Sequence, residues 1–71
     1  MRVLLRDLET GRLHRADGVW AESPFEATDY KTPEAAREVA AATGKHNLEV
    51  LVVDDRGRPK WGRRIEGTLE S

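Results

Sequence analysis

The side chains able to do chemistry in this sequence are few. His14 and His46 stand 32 positions apart, and neither belongs to a metal-ligand spacing such as His-x3-His. Each reads as a surface histidine. Asp54-Asp55 offers two adjacent carboxylates, yet a calcium loop needs several more spaced oxygens and a later glutamate. Ahead of Gly57 the two aspartates read as turn formers. Ser23 precedes Pro24, which is the pattern of a helix-capping hydroxyl followed by proline at the first helical position. The chain has no cysteine, which excludes disulfides, thiolate zinc sites, iron–sulfur clusters and cysteine nucleophiles. No Gly-x-Gly-x-x-Gly or Walker sequence occurs. An enzyme needs a nucleophile or a metal, a tuned acid or base and a pocket to hold them. These residues lead us to expect a non-enzymatic protein without cofactor, metal or small-molecule substrate.

One segment departs from the average. Arg56-Gly57-Arg58-Pro59-Lys60-Trp61-Gly62-Arg63-Arg64 carries five cations in nine residues and no acid, whereas residues 22–55 hold eight acids against three bases. The net charge of −1 therefore hides a basic C-terminal hairpin beside an acidic middle. Arginine supplies planar, charge-assisted contacts and tryptophan an apolar anchor, and both are enriched at interface hot spots. Arg58, Lys60, Trp61, Arg63 and Arg64, with Arg56 at the margin, are the expected partner-binding residues. The first reading is a protein partner or a homodimer, the basic edge of one copy meeting the acidic middle of another, or a peptide adding to the edge strand. The second is a nucleic-acid accessory protein in which Trp61 stacks on bases and the arginines meet phosphate. The bland reading is a solvated edge whose charges discourage strand-to-strand aggregation, with Trp61 plugging the end of the core.

Arg56-Gly57-Arg58-Pro59 resembles the core of the AT-hook, whose extended Arg-Gly-Arg lies in the minor groove of A·T-rich DNA. The resemblance spans four residues. Asp54 and Asp55 stand just ahead of it, where they would repel phosphate, and a hairpin turn would hold the arginines in the wrong shape.

The elements that must position these residues follow from pattern and punctuation. Val3-Leu4-Leu5 opens a strand reaching about Leu8, turned by Thr10-Gly11 into Leu13 to Arg15. Asp17-Gly18 gives a second turn before Val19-Trp20-Ala21, which leaves a third strand open. Ser23-Pro24 starts a single turn, and Thr32-Pro33 starts the one convincing helix, closed by Gly44. Ala36, Val39, Ala40 and Thr43 share its apolar face. Leu48 to Val53 is apolar on both sides and reads as a central strand. Pro59 places the last strand, Lys60 to Ile65, at an edge, with Gly62 a candidate bulge.

The order ββ(β)αββ gives an α+β fold: an antiparallel sheet of three to five strands with one main helix on one face. The expected core is Val3, Leu5, Trp20, Phe25, Tyr30, Ala36, Val39, Ala40, Leu48, Val50, Val52 and Ile65. One helix covers one face only, so the other must be polar or meet another chain, and Leu51 with Val53 suggests the latter. We expect one domain over residues 1–65 and a frayed tail over 66–71. At 71 residues the chain buries only about 60 % of its unfolded surface, so its core is marginal.

Val3-Leu4-Leu5-Arg6, Thr10-Gly11, Trp20, Pro24, Ala27, Asp29-Tyr30 and Ala36 occur in an order that resembles a loose group of short bacterial proteins of unknown function. That resemblance, over roughly residues 3–55, implies a ββαβ-like fold and assigns no functional residue. The N-terminal Met-Arg-Val-Leu-Leu-Arg lacks the apolar stretch of a signal peptide, and no run is long enough to span a bilayer. With cysteine absent, the expectation is a cytoplasmic protein that does not engage a membrane.

Overall fold

In the computed structural model, which describes residues 1–65, the two most apolar stretches become neighbouring central strands. The elements are β1 (Arg2–Asp7), β2 (Leu13–His14), β3 (Trp20–Ala21), α1 (Pro33–Thr43), β4 (Leu48–Val53) and β5 (Pro59–Arg64). They form a five-stranded sheet in the order β3-β2-β1-β4-β5, and every pairing is antiparallel. The expected α+β arrangement is present, and Trp20–Ala21 is a third strand of its first half. The expected tail, residues 66–71, lies outside the described residues. Among the described residues no helix is long and apolar enough to cross a membrane.

Helix α1 begins and ends where its caps demand. The Thr32 hydroxyl accepts the Ala35 N–H, Pro33 opens the first turn beside Glu34, and Gly44 closes the helix at φ 71°. Its small residues Ala36 and Ala40 are buried against β1 and β4. They let the helix lie close over Val3, Leu5, Leu48 and Val50, with Tyr30, Trp20, Val39, Val52 and Ile65 at the margins. This side of the core matches the sequence expectation.

The second face does not. Leu4, Leu13, Ala27, Leu51 and Val53 form a buried cluster of their own. The face is closed by the segment after β3, which brings Ala27 onto it, so Leu51 and Val53 do not await another chain. Arg2 holds that segment by donating to the carbonyls of Pro24 and Ala27 at 2.7 and 2.6 Å. Asp29 then accepts the N–H groups of Val3 and Lys31, both at 2.9 Å, while the Tyr30 N–H bonds the Val3 carbonyl. These bonds carry the chain past the edge of β1, from one face of the sheet to the other. Phe25 was expected in the core and is 63 % exposed. It lies instead against the β4–β5 turn, where a Cβ on Gly57 would come within 3.2 Å of its ring and of Pro24.

His14 is the other correction. It is not on the surface but 7 % exposed, on the helix side of the sheet, with its Nδ1 2.6 Å from the Tyr30 hydroxyl. Trp20, its partner across the β2–β3 pair, meets it edge-on at 4.9 Å between ring centroids. Lys45 lies over Trp20 at 5.5 Å and reaches the buried Asp7 at 3.3 Å. Burial pushes the His14 imidazole below its ordinary pKa, Asp17 opposing this weakly, and burial raises the Tyr30 hydroxyl.

Candidate functional site

The hairpin of β4 and β5 sets the site. Its turn is built by Asp54, whose carboxylate accepts the N–H groups of Arg56 and Arg58 at 2.9 Å each. Those bonds, the Arg58 N–H foremost, hold the Asp54 carboxyl below the ordinary range against a smaller burial effect. Gly57 takes φ 81°, and the Asp54 N–H bonds the Arg58 carbonyl. Arg56-Gly57-Arg58 is thus folded back on itself. The extended form in which an AT-hook enters the minor groove is absent from this turn.

Beyond the turn, all six residues of β5 are exposed. The register pairs Val52 with Trp61 and Val53 with Pro59, so Lys60 is the extra residue of a bulge. The bulge is at Lys60 and not at Gly62. Gly62 has a different reason to be glycine: a Cβ there would stand 2.8 Å from the Glu49 carboxylate. Glu49 leans over it from β4 and bonds Arg6 on β1 at 2.8 Å. On this same face Arg64 donates to the Asn47 side-chain carbonyl at 2.8 Å. Asn47 is itself held at φ 61°.

Trp61 and Arg63 lie on the helix face of the sheet, opposite Val52 and Val50. The helix packs on β1 and β4 and does not reach them. Trp61 is 44 % exposed and belongs to no core cluster, so it does not plug the core. The space between helix and β5 is a shallow groove of about 530 Å³ lined by Arg37, Arg63, Arg64 and Ile65. Arg37 is the residue that sequence reasoning missed, because on the exposed side of α1 nothing in its spacing marks it.

The six expected residues are therefore contiguous but not coplanar. Trp61 and Arg63 look to the helix side, Arg64 to the other, Lys60 sits at the bulge, and Arg56 and Arg58 occupy the turn. None of their five cations has a carboxylate within ion-pair distance among the described residues. The acidic middle does not form a matching patch. Five of its eight carboxylates are engaged at home: Glu22 with Arg12, Asp29 with two N–H groups, Glu49 with Arg6, Asp54 with its turn, and Asp55 with the N-terminal ammonium. Among the described residues, Glu26, Glu34 and Glu38 are left. Among the described residues no cluster of three histidine or acidic side chains could hold a metal ion.

Comparison of the chain with protein-family models, with curated proteins and with solved structures gives no match, so the surface is read from its own residues.

Proposed function

We propose that this chain is a non-enzymatic binding module whose β5 hairpin recognises another protein through Arg58, Lys60, Trp61, Arg63 and Arg64, with Arg56 at the rim. One observation carries the reading. All six residues of a strand are exposed, with cations that have no carboxylate partner among the described residues on both sides of a half-exposed tryptophan. An edge that only needs protection from aggregation is served by charge and proline. It gains nothing from an exposed indole, whereas an interface gains its anchor. Because the acidic middle is engaged internally, a heterologous partner suits this edge better than a second copy does.

Affinity capture with the wild-type chain and with Trp61→Ala and Arg63→Ala tests this, circular dichroism confirming that each variant is folded. The expected result is a protein retained by the wild type and lost with both variants, in nuclease-treated extract. Identical capture by all three overturns the reading. The same surface has a nucleic-acid reading, favoured by the exposure of Trp61 next to Arg63. That reading requires single-stranded DNA binding at low salt that falls steeply as salt rises. No binding at low salt removes it.

A further inference from the structure

We infer that the partner contributes an extended acidic segment that adds to the sheet as a sixth strand along Trp61–Ile65; this rests on the binding role proposed for β5. The backbone supplies the first argument. The Ile65 N–H bonds the Leu48 carbonyl at 2.8 Å, which fixes the phase of the β4–β5 ladder. In an antiparallel ladder every second residue turns its N–H and C=O outward. With Leu48 and Ile65 a bonded pair, and Val50 opposite Arg63 the next, the outward pairs belong to Arg64 and Gly62. These groups form the pairing edge that an incoming strand needs.

Charge chooses the occupant. A second β5 laid against this one would set Lys60, Arg63 and Arg64 of each copy along a shared seam, and like charges across a ladder are destabilising. An acidic strand reverses that sign. Its side chains on the helix face would meet Trp61, Arg63 and, across the groove, Arg37, while those on the other face would meet Arg64. Gly62 leaves backbone approach open in the middle of the edge, and Pro59 with the Lys60 bulge ends the pairing register at the turn side. Among the described residues the edge is thus closed to copies of itself and open, over a short length, to a strand of opposite charge.

The probe is a fluorescein-labelled eight-residue peptide alternating glutamate and valine, followed by fluorescence anisotropy on the whole chain. Binding is expected, weakened about tenfold or more when the peptide amides are N-methylated, because the charges persist while the ladder is lost. A lysine-for-glutamate peptide is expected not to bind, and Arg63→Ala with Arg64→Ala to weaken the parent peptide. Equal affinity for the methylated and unmethylated peptides overturns strand addition, as does absence of binding. So does sedimentation of the free chain as a dimer that the peptide does not dissociate. If these fail while Trp61→Ala still abolishes capture of a protein, the binding role of β5 stands and only the strand mode falls.

Discussion

The sheet has two edges, and they are finished in opposite ways. At one, β3 is two residues long, and its Trp20 packs on His14, which bonds Tyr30, beneath a Lys45–Asp7 bridge. At the other, β5 is six residues long, each of them exposed, and carries cations without acidic partners among the described residues. The first edge uses aromatic residues to close a small core and the second displays one to solvent. The same residue types therefore do different work, decided by what lies next to them. Residues that seal should govern stability, and residues that display should govern association.

The largest effect is expected at the sealed edge. Trp20→Ala removes the ring that His14 and Lys45 pack against, and should cost about 2–3 kcal/mol in urea denaturation, somewhat below the range for a fully buried aromatic. A loss within the scatter of surface substitutions would dissolve the distinction between the edges.

Next comes a place where β5 packs closely against its neighbour β4. Gly62→Ala brings a methyl group against the Glu49 carboxylate, which must swing aside and loosen its bridge to Arg6, with an expected cost of no more than about 1 kcal/mol. In a double-mutant cycle Glu49→Ala should recover part of that loss, since the clash is then gone. Additive losses would show that Gly62 is needed for another reason.

Acidification should also separate the two edges. His14 is held below its unfolded value of 6.5 by burial, so the unfolded chain binds the proton first. Stability is complete above about pH 6.5 and declines as pH falls below it, until the folded-state imidazole also protonates. The carboxyls of Asp7 and Asp29 are depressed too. Burial raises Asp7 but the Glu9 N–H and Lys45 outweigh it, and the Val3 N–H leads for Asp29. Their stabilisation is present above about pH 3.9 and is lost as pH falls through their folded values. Two stages of loss are expected in melting temperature against pH, and His14→Gln should abolish the upper one only. A variant that keeps the upper stage would place it elsewhere.

The smallest effect on stability belongs to the displayed edge. Trp61→Ala and Arg63→Ala should each change unfolding free energy by no more than about 0.5 kcal/mol. A cost several times larger would make Trp61 a structural residue.

What the sequence made legible was the helix side of the core. Val3, Leu5, Leu48 and Val50 alternate along strands, and Ala36 and Ala40 recur at helical spacing, so each half of the contact shows its own period. The opposite face was opaque for a physical reason. Leu4, Leu51 and Val53 advertise themselves as apolar, but their cover comes from Ala27 and the segment around it, which has no periodicity. Phe25 in that segment misled by its hydrophobicity alone, since the turn at Gly57 left it outside. His14 could not be seen as buried because its partner Tyr30 lies 16 residues on, beyond that same segment. The candidate surface was readable because its residues are contiguous in the chain. Two acids of the middle, Glu49 and Asp55, meet their cations, Arg6 and the N-terminal ammonium, across long stretches of sequence, which no local charge pattern shows.

The distinction between the two edges is most directly tested by amide hydrogen exchange of the chain alone and with the alternating glutamate–valine peptide. In the free chain the amides of Gly62 and Arg64 should exchange rapidly, while those of Trp61 and Arg63 are protected by β4. With the peptide bound, Gly62 and Arg64 should become protected and the amides around His14 and Trp20 should not change. Binding that leaves Gly62 and Arg64 unprotected would contradict the account.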